Sequence, residues 1–185
     1  MFVETNPLDT VSDRGQGDDM PKVSAEIPDW SREKCRRLWD PARRTLKAFR
    51  DYERCRGQRG LLRVAQRKWC VLRHRFWSAI TGVEIPLGSD IGGGLSIPHP
   101  NGIVIHRRAK IGPNCLLFHQ VTIGIGGTVP GPPTIGGHVD IGAGAKILGG
   151  IHVGNDAKIG ANAVVLCDVP EGATAIGVPA RVISR

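Results

Sequence analysis

Aliphatic residues recur at every sixth position through the second half of the chain. One phase is set by Ile85, Ile91, Ile97 and Ile103, and a second begins two residues later: Ile105, Ile111, Leu117, Ile123, Val129, Ile135, Ile141, Ile147, Val153, Ile159 and Val165. A period of six fits neither an amphipathic helix nor an alternating strand. It is typical of a solenoid in which each hexapeptide supplies one short strand and one turn, three to a coil. We therefore predict a mainly β fold over residues 82–185, a parallel β-helix with its aliphatic side chains inside a three-sided prism.

Two segments depart from this repeat. Between Gly124 and Thr134, Val129 keeps the count, but the surrounding Gly and Pro residues predict a loop. Past Val165, residues 176–183 predict an extended segment that closes the open end of the prism. Such a prism is thin and exposes flat faces, which identical chains commonly cover by symmetric association. We expect a homotrimer.

The chain before the repeat predicts a loose tail over residues 1–27 and a helical appendage over residues 28–81. Asp29 or Ser31 can cap a first helix, and Pro41 either begins a new helix or kinks the first one. A second helix is predicted from Leu61 to about Ile80. One apolar stripe runs along it at helical spacing: Leu62, Ala65, Trp69, Leu72, Phe76 and Ile80.

The net charge of +8 is concentrated in the appendage, where residues 30–80 hold sixteen Lys and Arg against four Asp and Glu. All four tryptophans lie in the same segment. This composition is compatible with a nucleic-acid or anionic-membrane surface. The alternative, which we favour, is a helical appendage whose aromatic side chains pack and whose arginines are solvated. We accordingly expect no nucleic acid as a partner.

Three features of the sequence bear on where the protein is located in the cell: its apolar runs, its first twenty residues and its cysteines. No run of about eighteen apolar residues predicts a membrane span. Residues 1–20 carry five acids and no apolar core, so we do not expect a secretory signal. The five cysteines include no CxxC pair, and an odd number favours reduced thiols in a cytoplasmic protein.

Four stretches of the chain resemble the hexapeptide-repeat acyltransferases, and among them the serine O-acetyltransferase group: IPHPNGIVI (97–105), IGAGAKILG (141–149), AKIGANAVV (157–165) and GVPARV (177–182). The resemblance implies a left-handed β-helix with active sites between subunits. It also implies transfer of an acetyl group from acetyl-CoA to the hydroxyl of L-serine, a step of cysteine biosynthesis. Sugar O-acetyltransferases look similar, so a sugar or polysaccharide-precursor hydroxyl remains the alternative acceptor.

The resemblance also implies the catalytic residues. A hydroxyl must lose its proton as it attacks the thioester, and an imidazole with an ordinary pKa suits that task. His99 aligns with the catalytic histidine of the family, and it lies between Pro98 and Pro100. Glu84, fifteen residues earlier, aligns with the acid that orients the histidine. Here it is a Glu where the family usually has Asp.

Residues for binding coenzyme A follow from the same alignment. Gly124, Gly126 and Gly127 allow close backbone approach to the thioester and are candidate oxyanion donors. The small residues Ala143, Gly144 and Ala161 match positions beside the pantetheine arm. Lys158 and Arg181 are candidates for contact with the phosphates of coenzyme A.

Two departures from the serine-specific pattern concern the acceptor. Pro98 occupies the position of an Asp that precedes the histidine in those enzymes. Gly131-Pro132-Pro133 replaces an Arg-His pair. We consider Asn101, His119 and Arg107 as substitutes that would contact the acceptor.

The sequence also bears on a bound metal, on a trimer without activity and on a protein partner. A zinc-dependent hydratase of this fold requires an HxxxxH pair, which is absent from the sequence, so we expect no metal. A trimer without activity is a third option, and Glu84, His99 and the Gly-rich loop argue against it. Because the sequence ends shortly after GVPAR, we do not expect docking on the sulfhydrylase that completes cysteine synthesis.

Overall fold

The structure is a computed structural model that describes residues 23–183. A short 3-10 helix, Trp30–Glu33, is followed by two α-helices, α1 (Pro41–Cys55) and α2 (Leu61–Thr81). The Asp29 side chain accepts a hydrogen bond at the start of the 3-10 helix, and Asp40 caps α1, with Pro41 in its first turn. The first predicted helix is therefore a single 3-10 turn, and Pro41 begins a new helix.

The rest of the described chain forms thirteen short strands. They are β1 (Asp90–Ile91), β2 (Val104–Ile105), β3 (Lys110–Ile111), β4 (Leu116–Leu117), β5 (Thr122–Gly124), β6 (Thr134–Ile135), β7 (Asp140–Ile141), β8 (Lys146–Leu148), β9 (His152–Val153), β10 (Lys158–Ile159), β11 (Val164–Val165), β12 (Thr174–Gly177) and β13 (Ala180–Ile183). The first sheet has the order β1-β3-β6-β9, the second β4-β7-β10-β12-β13, and the third β2-β5-β8-β11. All pairs are parallel except β12 with β13.

This topology is the predicted left-handed β-helix. Each coil contributes one strand to each sheet, and equivalent residues stack in register, as Ile123 does on Ile105 and Ile147. The aliphatic positions of both phases are buried, with one exception. Val129 is 41% exposed. Its agreement with the six-residue count was misleading, because residues 125–133 leave the prism as a loop.

The end of the prism differs from the single extended segment predicted for residues 176–183. The chain reverses at the cis Val178–Pro179 bond, and β12 and β13 form an antiparallel hairpin. Ile176 lies opposite Arg181 in this hairpin. The hairpin continues the second sheet beyond β10.

At the other end of the prism, α1 supplies Leu46 and Phe49 to the same buried cluster as Ile85 and Ile103. Asn114, which is fully buried, fixes the preceding segment to the prism. Its side-chain amide donates to the carbonyls of residues 24 and 27 at 2.7 Å, and its Oδ1 accepts from the backbone of Asp29 at 2.7 Å. Most of the predicted tail, residues 1–22, lies outside the described residues.

Helix α2 packs on α1 through a different face from the one predicted. Its buried residues are Cys70, His74, Trp77 and Thr81. The predicted stripe faces solvent: Leu62 is 86% exposed, Trp69 59%, Leu72 58%, Phe76 56% and Ile80 42%. Trp77 is buried, as the expectation that the aromatic side chains pack requires. Trp30 and Trp39 are at least half exposed but still pack, Trp30 against the Arg50 guanidinium and Trp39 edge-on against Trp77, whereas Trp69 is exposed in the stripe. Neither described α-helix combines the length and apolar character that crossing a bilayer requires.

Candidate active site

The turns that lead from the second sheet to the third sheet stack along one edge of the prism. We call this edge the His99 corner; it comprises residues 98–102, 118–120, 142–144 and 160–162. Residues of successive coils are joined there by backbone hydrogen bonds. Gln120 donates to Asn101 at 2.7 Å, Gly144 donates to His119 at 2.9 Å, and Asn162 donates to Ala143 at 2.8 Å.

His99 is exposed in the first of these turns. Its ring lies 6.3 Å from the ring of Phe118, nearly parallel at 26°, and 6.3 Å from the ring of His119, at 84°. The two flanking prolines restrict the backbone on both sides of the imidazole. The histidine is thus held at the surface between aromatic neighbours of the next coil. Phe118 was not singled out from the sequence, where its position one coil beyond His99 is the only signal.

Small residues continue this edge away from His99. Gly144 has a φ of +74°, and a Cβ at this position would collide with the side chain of Asn162. Ala161 is exposed in the next turn. The corner therefore has a low profile for two coils.

The predicted phosphate contacts lie at the far end of the same edge. Ile176 packs beneath Gly160, and Arg181 lies opposite Ile176 in the terminal hairpin. Lys158 is exposed on the second sheet, in register with Thr174. One edge of a single chain therefore carries His99, His119, Asn101 and the small residues, with Arg181 at its far end. Lys158 lies on the adjoining face of the second sheet.

Glu84 begins the third sheet, where its backbone is bridged to Val104. Its amide donates to the carbonyl of Ile103 at 2.7 Å, and its side chain is exposed. It also lines a cavity of about 520 Å³ with His74 and Arg75 of α2. Among the described residues, the Glu84 carboxylate makes no hydrogen bond to His99.

The Gly-rich loop lies at another edge, where the chain passes from the third sheet to the first. The carbonyl of Gly124 accepts from Gly149 at 3.0 Å, and that of Val129 accepts from Gly150 at 3.0 Å. The third sheet separates this edge from the His99 corner by roughly 15 Å, the width of a strand with its flanking residues. Within one chain the structure does not bring Gly126 and Gly127 to His99. Arg107, in the turn after β2, also lies away from the His99 corner.

A cavity that sequence reasoning missed adjoins the His99 corner. It has a volume of about 370 Å³ and is lined by both prolines that flank His99 and by the segment that precedes and begins α1, including Arg36, Arg37 and Arg43. Arg43 is paired with Asp40 at 3.0 Å. Arg36 and Arg37 are exposed, so this wall is positively charged. No sequence pattern joins these arginines to His99, because the fold brings them together across some sixty residues.

Cysteine chemistry is not favoured in the interior of the prism. Burial raises the pKa of the Cys115 thiol to about 11, so this group remains protonated near neutral pH. Residues 23–183 hold no cluster of three His, Cys, Asp or Glu side chains that could bind a metal ion.

The chain is similar to serine acetyltransferases in sequence and in structure. Serine acetyltransferase from Helicobacter pylori strain J99 is 50% identical over 108 residues, which cover 57% of this chain and 63% of that enzyme. Among solved structures, soybean serine acetyltransferase complexed with serine superimposes with a TM-score of 0.65 at 38% identity, covering 79% of this chain and 58% of that one. The resemblance to the serine acetyltransferases is confirmed.

The likeness to serine acetyltransferases extends beyond the prism. A serine acetyltransferase in complex with CoA matches with a TM-score of 0.64 and 36% identity over 79% of this chain and 58% of that structure. Residues 82–185 are little more than half of the chain, so this match includes helices of the appendage. The chain spans about 63% of the length of the H. pylori relative. A scan against models of protein families finds no match.

Proposed function

We propose that this chain is an acetyl-CoA-dependent O-acetyltransferase that converts L-serine and acetyl-CoA to O-acetyl-L-serine and CoA. The observation that carries this proposal is the continuous edge from His99 past Ala143, Gly144 and Ala161 to Arg181. It offers a base at one end, room for a narrow arm in the middle and cations at the other end. The sequence relatives are serine acetyltransferases, and the structural neighbours include complexes with serine and with CoA.

In the proposed mechanism the acetyl group moves directly between two bound substrates. The imidazole of His99 accepts the proton of the acceptor hydroxyl as its oxygen attacks the thioester carbonyl carbon. The tetrahedral intermediate then collapses, the carbon–sulfur bond breaks, and the imidazolium returns the proton to the leaving thiolate. Glu84 stabilises the imidazolium once substrates are bound, since a carboxylate favours the charged form of a neighbouring histidine.

We further propose that the active site is shared between copies in a homotrimer. The backbone amides of Gly126 and Gly127 can stabilise an oxyanion only from about 3 Å. The roughly 15 Å across the third sheet prevents this within one chain. A neighbouring chain that presents its loop to the His99 corner would supply those amides. If the Gly-rich loop belongs to the active site, it must therefore come from a neighbouring chain of the trimer.

The cavity beside the His99 corner favours serine over a neutral sugar. Arg36 and Arg37 offer positive charge to a carboxylate, in a protein that lacks the Arg-His pair and the Asp of serine-specific enzymes. A sugar without an anionic group would leave this charge unused. All five cysteines are free, which agrees with the proposed cytoplasmic location.

Thiol release from acetyl-CoA, followed with L-serine and with a panel of sugar hydroxyls, tests the function. His99→Ala should lower kcat by about 10² to 10⁴ and leave CoA affinity unchanged, because only the proton acceptor is lost. His152→Ala, at an exposed position on the first sheet, is the matched control and should retain full activity. Release with sugars alone would move the assignment to the alternative acceptor. Wild-type rates in His99→Ala, or no release with any acceptor, would contradict the mechanism.

A further inference from the structure

The exposed stripe of α2 is apolar over its whole length. We call its six residues, Leu62, Ala65, Trp69, Leu72, Phe76 and Ile80, the apolar stripe. They recur at three- and four-residue spacing on one helix face, and all are exposed. Scattered exposed apolar residues are ordinary, but a contiguous row that includes Trp and Phe marks an interaction surface.

The charge around this stripe is of one sign. Helix α2 contains five cations, Arg63, Arg67, Lys68, Arg73 and Arg75, and no acid. The four acids of residues 30–80 are already used within the appendage. Glu33 is paired with Arg50, Asp40 with Arg43, Asp51 with Arg73, and Glu53 with Arg56. Arg73 is thus neutralised by Asp51, whereas Arg63, Arg67, Lys68 and Arg75 have no acidic partner among the described residues.

A cationic cavity adjoins the stripe. It has a volume of about 590 Å³, and Lys34, Arg44, Lys47, Arg54 and Arg73 contribute to its lining. Asp51 lies within 4 Å of three of these cations, with contacts of 3.1, 3.6 and 3.9 Å, so one carboxylate serves three positive groups. Arg73 of the cavity lining lies beside the apolar stripe, because it is one helical turn from Trp69 and from Phe76.

We propose that α2 is an interfacial docking surface for an anionic lipid bilayer. The apolar stripe enters the boundary between headgroups and acyl chains, as amphipathic helices with Trp, Phe and Leu on one face and cations beside it do. The cations of the adjoining cavity hold lipid phosphates. The proposal concerns attachment to one face of a membrane and is independent of the proposed acetyl transfer.

Two other occupants fit the same surface less well. A second copy that docked through the same helix would bring another α2 with five cations against the first, and like charges oppose this two-fold contact. Nucleic acid would engage the cations, but the aliphatic residues Leu62, Leu72 and Ile80 have no role in contact with a phosphate backbone. The bilayer uses both the charge and the apolar surface.

Flotation of the full chain with vesicles tests the proposal. We expect binding to vesicles of equal parts phosphatidylcholine and phosphatidylglycerol, with affinity at least about tenfold lower on phosphatidylcholine alone. Phe76→Glu should reduce binding to the anionic vesicles by about tenfold, because it places a negative charge on the helix face that enters the bilayer. Val178→Glu, which also adds one acid at an exposed apolar position but at the far end of the prism, should bind as wild type does.

Each result that would contradict docking on a bilayer points to a different explanation of the apolar stripe. Absence of vesicle binding, equal binding to both vesicle types, or an unchanged Phe76→Glu variant would overturn the proposal. If Phe76→Glu instead dissociates a larger assembly in sedimentation velocity and vesicles do not bind, the stripe belongs to a second copy. Binding to duplex DNA without vesicle binding would assign the surface to nucleic acid. Cooperative unfolding of Phe76→Glu at the wild-type midpoint shows that the variant is folded.

Discussion

In the prism, Ile123 and Ile141 are wholly buried, whereas in α2 Leu72 and Phe76 expose more than half of their side-chain surface. Both pairs belong to regular apolar patterns. The difference lies in the number of neighbours that each pattern meets. An inward position of a coil is covered by the coils above and below it. A helix that packs on one neighbouring helix buries only the face that contacts it, and its opposite face stays exposed unless a second partner covers it.

Between the two regions lies a junction built on a single guanidinium. Arg50 of α1 donates to both carboxylate oxygens of the largely buried Glu33, at 3.0 and 2.9 Å. It also donates to the carbonyls of Ile91 and Gly92 in the prism, at 2.7 and 2.6 Å. Together with the hydrogen bonds of Asn114, this group provides the polar attachment of the appendage, while the prism is held by its own core.

The largest effect on stability should come from breaking this junction. Arg50→Gln would leave the buried Glu33 without its cationic partner, with the Leu95 amide still donating to it, and we expect a loss of about 3 to 5 kcal/mol in the free energy of unfolding. Arg54→Gln removes the same charge one turn away, from a side chain that is 75% exposed, and should cost less than about 1 kcal/mol. Denaturant unfolding of both variants provides the measurement. Equal losses would show that the junction is not a specific link between the two regions.

The next largest effect on stability should come from truncating an apolar side chain in the prism rather than in α2. Ile141→Ala should destabilise the protein by about 2 to 5 kcal/mol, because it opens a cavity between stacked coils. Leu72→Ala removes a side chain of similar volume from the apolar stripe and should change stability by no more than about 0.5 kcal/mol. Midpoints of urea unfolding in the absence of lipid measure both. A large loss for Leu72→Ala would mean that the stripe is covered by the protein itself in solution.

The contrast between the regions also explains how far the sequence could be interpreted. The period of six was sufficient for the prism, since every coil repeats the same contacts. It was misleading at Val129, where an inserted loop happens to preserve the count. In α2 two faces carry apolar residues at helical spacing, and the face with Cys70 and Trp77, not the stripe, meets α1.

The candidate site was predictable to a similar degree. His99 and His119 are 20 residues apart, so their common edge follows from the length of a coil. The 25 residues from His119 to Gly144 exceed one coil because they include the inserted loop. The place of the Gly-rich loop does not follow from the length of a coil, because residues 125–133 are an insertion and lie at a different edge. Arg36 and Arg37 reach the site through tertiary packing alone, and Asn114 acquires its role from contacts with a segment some ninety residues away.

The smallest effect that we predict concerns pH and the buried face of α2. Burial lowers the pKa of His74 below its ordinary value of 6.5, and its Nε2 is buried without a hydrogen-bond partner. The unfolded chain therefore binds a proton at this residue more readily than the folded chain does. The stability contributed by neutral His74 is fully present above pH 6.5 and is lost as the pH falls below that value, with a slope of up to about 1.4 kcal/mol per pH unit.

His74→Phe should flatten the slope of unfolding free energy below pH 6.5, since a ring remains to pack against Phe49 without a group that titrates. Leu72→Phe, which changes an exposed residue of the same helix and removes no titratable group, should leave the slope unchanged. An identical slope in His74→Phe and the wild type would show that this helix face opens to water on the acid side, and the boundary between the packed and the open faces of α2 would then be less sharp than the structure indicates.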